Sequence, residues 1–177
     1  NRFANDIGVS NKTIDEWLSL LQASYIIYLL PSYHQNFRKR IIKSPKLYFY
    51  DIGLASYLLG IQNIDHVKNH PLKGLLFENM IIIELIKDCF NQIKPCNFYY
   101  FRDNNGNEVD LIHDLGNCTH SYEIKSGKTI DSYQMKGLNF YRNLDSKNNK
   151  SLLIYGGEQQ YKVNTCLLYT SDAADDQ

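Results

Sequence analysis

The sequence predicts a mixed α/β (α+β) fold, helices packed on a sheet assembled largely from hairpins. Three observations lead there. A strongly apolar helical stretch over residues 75–89 precedes three short strand-like runs, 97–102, 107–112 and 122–126, separated by turn residues. A helical stretch from about 131 to 142 and an apolar strand over 151–155 complete the order α-β-β-β-α-β. Ahead of these lie a helix, a glycine turn at Gly8, and a second helix opened by Ser10 or Thr13, then two strand-like runs. That pattern is a helix-turn-helix with the strands of a wing.

Each element has its own reason. In the second helix Ile14, Trp17, Leu18 and Leu21 recur at helical spacing and form an apolar stripe. Residues 25–30 and 46–50 are rich in β-favouring side chains and are expected to pair. Between them Arg38, Lys39, Arg40, Lys43 and Lys46 make the one dense basic run. It reads either as a phosphate-contacting hairpin for DNA or as a solvated edge whose lysines prevent strand addition. Asp51 caps a short helix with Ile52, Leu54, Ala55, Leu58 and Leu59 expected inward, and residues 62–71 read as a polar linker. The organisation is therefore a winged-helix-like unit over 1–70 and a second unit over 71–165. The segment 166–177 reads as a non-native tail and is set aside from the fold.

Composition narrows the function. The chain has 177 residues and a formal net charge of zero, so no global basic field marks a nucleic-acid binder and any such contact must be local. It has no apolar run of membrane-spanning length and no secretory signal pattern, which sets the expectation of a cytoplasmic protein without membrane contact. Cys89, Cys96, Cys118 and Cys166 lack C-x-x-C spacing and read as idle thiols. No phosphate-binding G-x-x-x-x-G-K-[ST] loop occurs, so no ATP site is expected in these residues.

The chemistry concentrates in two runs, Asn107-Glu-Val-Asp110-Leu-Ile and Tyr122-Glu-Ile-Lys125-Ser. Alternation puts Asp110 opposite Val109 and Leu111, and puts Glu123 and Lys125 on one face with Ile124 on the other. If the strands pair, two carboxylates and an ammonium converge. Two bare carboxylates about 4 Å apart repel by roughly 4 kcal/mol at an effective dielectric near 20, so something positive must lie between them. Either a divalent cation or Lys125 itself meets that need. Glu78, on the preceding helix, is a third candidate carboxylate, whereas Glu84 and Glu108 read as surface charge.

Taken together, Lys46-Leu-Tyr-Phe-Tyr-Asp51-Ile-Gly-Leu54, Gly74-Leu-Leu-Phe-Glu78-Asn79, Phe101-Arg102-Asp103, Asn107-Glu-Val-Asp110 and Glu123-Ile-Lys125 carry a family resemblance. The chain resembles domain of unknown function 4143, found C-terminal to the AAA+ module of many bacterial and archaeal ATPases. Its helix-Glu78, strand-Asp110, Glu123-x-Lys125 order is similar to the PD-(D/E)XK nuclease superfamily. The resemblance implies Mg²⁺ or Mn²⁺ held by Asp110, Glu123 and the Ile124 carbonyl, with Glu78 an outer or second-metal ligand, Lys125 acting on the attacking water and Gln134 near the phosphate. It implies DNA and the upstream ATPase module as partners. The alternative it leaves is a non-catalytic DNA- or protein-binding module that regulates the ATPase.

Overall fold

The computed structural model describes residues 2–33, 44–157, 162–163 and 166–170. Arg38, Lys39, Arg40 and Lys43 lie outside the described residues, so the basic hairpin has no structural account. Helix α1 (Arg2–Ile7) turns at Gly8, whose φ of +76° suits a residue without a Cβ, into helix α2 (Asn11–Ala23). Ser10, rather than Thr13, is the N-cap: its hydroxyl accepts the Thr13 N–H at 3.1 Å. Ile14 is buried, but Trp17 is 46% and Leu21 37% exposed, so the stripe is only partly covered.

Strand β1 (Ile27–Leu30) pairs antiparallel with β2 (Lys46–Phe49), from Ile27↔Phe49 to Leu30↔Lys46, the pairing expected of these two runs. Asp51 caps α3 (Ile52–Leu58) by accepting the Gly53 and Leu54 N–H groups. The inward face expected of α3 is corrected by its burial: Ala55 is buried while Leu58 is 63% and Leu59 40% exposed. A helix of two turns can lay only a narrow strip on its neighbour, and here the small alanine takes it. The expected linker is also corrected, because α4 (Ile64–Asn69) forms there. Asn63 caps it by accepting the His66 N–H, and Lys68 pairs with Asp65 one turn apart.

Helix α5 (Lys73–Asn91) leads into β3 (Phe98–Arg102), β4 (Glu108–Asp114) and β5 (Thr119–Lys125). A one-turn 3₁₀ segment (Ser132–Met135) then opens α6 (Lys136–Leu144), and β6 (Asn148–Tyr155), β7 (Lys162–Val163) and β8 (Cys166–Thr170) follow. The strands form one sheet in the order β3-β4-β5-β6-β8-β7, antiparallel across β3-β4-β5 and β7-β8 and parallel across β5-β6 and β6-β8. Exclusion of residues 166–177 from the fold is thus corrected for Cys166–Thr170. The outer edge of β6 offers unpaired backbone donors and acceptors, and this β-favouring run satisfies them.

The two faces of the sheet carry two cores. On one, Ile82, Ile83 and Ile86 of α5 pack with Leu111, Ile124 and Ile154. On the other, Leu138 and Tyr141 of α6 pack with Phe101, Val109 and Leu153. Each fully buried side chain of this size stabilises the fold by about 1.5–3 kcal/mol relative to exposure, so the helices clamp the sheet from both sides. The wing strands join the same body. Tyr33 N–H donates to the Tyr100 carbonyl and Tyr100 N–H to the Pro31 carbonyl, while Leu30 and Tyr48 enter the α5-side core.

Candidate active site

A change of register in the β3-β4 ladder builds the site. Tyr99 faces Ile112 and Phe101 faces Val109, so β4 advances three residues while β3 advances two. Asp110 and Leu111 therefore oppose Tyr100 together, as in a β-bulge, which re-aims side chains. Strict alternation is corrected here: Val109 joins the α6-side core and Leu111 the α5-side core. Beyond Leu111↔Tyr122 no further β4-β5 pair forms, and the Asp110 side chain takes the place of a ladder partner. Its Oδ2 accepts the Ile124 N–H at 2.8 Å.

This brings the expected residues together. Lys125 Nζ donates to Asp110 Oδ2 at 3.3 Å and lies 2.5 Å from Glu123 Oε1. Ile124 is buried on the opposite face, as alternation requires. Glu123 Oε2 is buried and has no hydrogen-bond partner. Burial, and then the Asp110 charge, push the Glu123 carboxyl up from 4.5 to about 7. Burial works to lower the Lys125 pKa, but Asp110 and Glu123 outweigh it and hold the ammonium charged.

Lys46 is the surprise. Sequence groups it with a basic run that reads as either DNA-contacting or solvated, yet its Nζ sits among carboxylates, 2.7 Å from Glu108 Oε1, 3.1 Å from Glu78 Oε1 and 3.8 Å from Asp110 Oδ1. The cause is register: Lys46 opens β2, paired to Leu30 at the end of β1, and β2 runs beside α5. Burial disfavours its charge, but Glu78, Asp110 and Glu108 more than compensate and raise its pKa. Tyr48, two residues on and so on the same face, donates its hydroxyl to Glu78 Oε1 at 2.6 Å. Glu78 thus reaches the site through Lys46 and Tyr48. Glu108, read as surface charge, is corrected to a member of the cluster, where Arg102 Nε also approaches it at 3.5 Å. Alternation with Asp110 was the signal for Glu108, and i, i+2 spacing with Tyr48 the signal for Lys46.

The surrounding residues fix these groups in place. Asn79 accepts the Phe49 N–H at 2.8 Å and donates to the Phe49 carbonyl at 2.7 Å, imitating a strand partner for β2. Asp103, 2% exposed, accepts the Asn105 and Asn107 N–H groups and the Asn107 amide, shaping the turn that delivers Glu108 and Asp110. Gly137 lets α6 approach: a Cβ there would lie 2.0 Å from the Glu108 carbonyl oxygen and 3.4 Å from Glu123 Oε2.

Two clefts open on the cluster. One, of about 330 Å³, is lined by Glu78, Ile124, Lys125, Ser126 and Gln134. The other, of about 640 Å³, has Lys46, Glu78, Arg102 and Glu108 at its polar end and Leu58, Leu75 and Leu76 among its apolar walls. Gln134 lines the first cleft, although its Oε1 also accepts the Asp131 N–H in a capping box. Among the described residues no three His, Cys, Asp or Glu side chains gather as a metal-ligand set.

The five motifs that bear the resemblance therefore contribute side chains to, or shape, one site. Residues 73–172 match the family model described as Domain of unknown function (DUF4143). The chain belongs to that family. Residues 1–65 are similar to a second family, Domain of unknown function (DUF8612), a range that takes in α1, α2, β1, β2 and α3. Uncharacterized proteins of Mycobacterium bovis and Mycobacterium tuberculosis are each 26% identical over 163 residues, covering 91% of this chain. The match covers 35% of each relative, so the chain spans about a third of the length of the curated relatives it matches. Among the described residues no helix is long and apolar enough to cross a membrane.

Proposed function

We propose that this chain is a nuclease-like module, the C-terminal part of a AAA+ family ATPase, that binds DNA and hydrolyses phosphodiester bonds with Mg²⁺ or Mn²⁺. One observation carries the proposal: Lys125 stands against both Asp110 and Glu123 while Glu123 keeps a buried oxygen with no partner. An orphaned buried carboxylate oxygen is costly, and a cation beside it removes the penalty.

The donor set suits a hard cation. Mg²⁺ asks a protein for only one or two carboxylates and takes its remaining ligands from water and substrate phosphate. Asp110 and Glu123 supply the carboxylates. The Ile124 N–H faces Asp110, and in an extended strand the carbonyl of that residue faces the same side, where it supplies a third oxygen. When bound, such a cation supplies an acidified water and neutralises charge on the phosphate. Lys125, held charged by both carboxylates, orients that water and stabilises the charge that develops on the phosphate oxygens. Gln134 lines the same cleft and positions the phosphate.

Asp110→Ala or Lys125→Ala is expected to abolish Mg²⁺-dependent cleavage of plasmid DNA. Absence of cleavage by the unsubstituted protein with Mg²⁺ and Mn²⁺, on duplex, nicked and branched DNA, would refute the catalytic reading. DNA contact is assigned to Arg38, Lys39, Arg40 and Lys43, without Lys46. Replacing the first three with alanine should weaken salt-sensitive DNA binding and leave metal binding intact.

Lys46 favours a second reading. An ammonium already lodged against Glu78, Glu108 and Asp110 neutralises part of the cluster internally, as in a non-catalytic module that regulates the attached ATPase. Calorimetry separates the two readings: a Mn²⁺ signal that disappears in Asp110→Asn belongs to the nuclease, and silence belongs to the module.

A further inference from the structure

Two cysteines that read as idle from their spacing alone meet in the fold. Cys89 lies in the last turn of α5 and Cys96 just ahead of β3, with residues 90–95 between them. We propose that Cys89 and Cys96 are a dithiol pair that a disulfide-class oxidant, such as glutathione disulfide, closes to a disulfide, tying the end of α5 to the start of β3.

The turn after α5 makes the meeting. Ile93 takes the left-handed conformation, with φ +55°, where a β-branched residue is strained. Hydrogen bonds hold the turn in spite of that: the Ile93 N–H donates to the Phe90 carbonyl and the Lys94 N–H to the Cys89 carbonyl. The chain is thereby laid back along the helix, and the Cys96 thiol donates to the Ile86 carbonyl at 3.6 Å. Cys89, three residues beyond Ile86 and so on the same side of α5, is hydrogen-bonded to that same thiol. Two sulfurs in such contact are close enough for a bridge to form with small side-chain adjustments.

Exposure assigns the roles. Cys96 is half-buried and Cys89 only 6% exposed, so glutathione disulfide reaches Cys96 first. The Cys96 thiolate attacks one glutathione sulfur, and the other glutathione leaves. Cys89 then gives up its proton and attacks the Cys96 sulfur, displacing the second glutathione. One disulfide is broken and one formed; the two electrons and two protons lost by the cysteines end on two glutathione thiols. Burial raises the pKa of both thiols, that of Cys96 to about 11, so the attacking thiolate is scarce at neutral pH and closure there is slow.

The test holds the whole chain, undenatured, in glutathione disulfide at mildly alkaline pH. Free thiols are then blocked, and the peptide carrying both cysteines is mapped by mass spectrometry. The unsubstituted protein is expected to convert both thiols to an internal bridge that retains no glutathione. It should also melt about 5–10 °C higher, the shift that closing so short a loop gives a chain of this size. Cys89→Ser should stop at a glutathione adduct on Cys96, and Cys96→Ser should leave Cys89 a free thiol. Recovery of both cysteines as thiols in the unsubstituted protein would overturn the inference. A lasting glutathione adduct on its Cys96 would do the same, since Cys89 would then be out of reach. So would a bridge that lowers the melting temperature, because the folded chain would not accommodate it. All three of these refuting results are read on the unsubstituted protein and do not depend on how the variants fold.

Discussion

Glu123 gives the sharpest test of the site, because its environment makes a stability prediction that needs no substrate. Its carboxyl is pushed up from 4.5 to about 7, first by burial and then by the Asp110 charge. Below pH 4.5 the folded and unfolded chains both hold the proton, and the group has no differential effect. Between 4.5 and about 7 the unfolded chain releases the proton while the folded chain keeps it, so rising pH favours unfolding. Above about 7 both forms are ionised, and the whole penalty is present. At about 1.4 kcal/mol per pH unit, the span amounts to about 3 kcal/mol. Glu123→Gln removes the titration, and any misfit of the amide adds only an offset that does not vary with pH. The stability of the variant relative to the unsubstituted protein should therefore rise by about 3 kcal/mol between pH 4.5 and pH 8. With a urea slope of about 1–3 kcal/mol per M, the midpoint difference should change by about 1–3 M. The assay is urea denaturation of both proteins in EDTA at several pH values. A difference that stays flat across that range would refute the argument that Glu123 is buried against Asp110 with an unpaired oxygen.

Two substitutions test how the site is held. Gly137→Ala should destabilise by about 1–3 kcal/mol in a thermal melt and weaken Mn²⁺ binding, because its Cβ would meet the Glu108 carbonyl oxygen at 2.0 Å beside Glu123 Oε2. Loss of neither would show that α6 has room to move. Asn79→Ala leaves both backbone groups of Phe49 without their side-chain partner and should cost about 2–4 kcal/mol. Hydrogen exchange should report it as lost protection of the Phe49 amide, and unchanged protection would remove Asn79 as the tie between β2 and α5.

Local pattern made much of this protein legible. The αβββαβ order followed from apolar periodicity and turn residues, and the period of two along β5 put Glu123 and Lys125 on one face, away from buried Ile124. Periodicity failed where one residue more or less changed the outcome. The bulge at Asp110 and Leu111 depends on how β4 meets Tyr100, which no local rule along β4 encodes. α3 and α4 departed from expectation because short helices take their orientation from the neighbours they pack on, and the pairing of Cys166–Thr170 depends on the open edge of β6.

The sequence by itself put Glu123 and Lys125 on one face of β5, since strand geometry fixes the face of each side chain. Only the tertiary structure decided which charges meet. Lys46 lies 32 residues from Glu78 along the chain, in a run that reads as solvated or DNA-facing. The β1-β2 register and the Asn79 bridge bring it against Glu78, Glu108 and Asp110. Coulomb attraction between partners distant in sequence acts only after packing has excluded water and set the distances. For that reason the i, i+2 spacing of Lys46 and Tyr48 could put both side chains on one face, but only the fold supplied the carboxylates they meet.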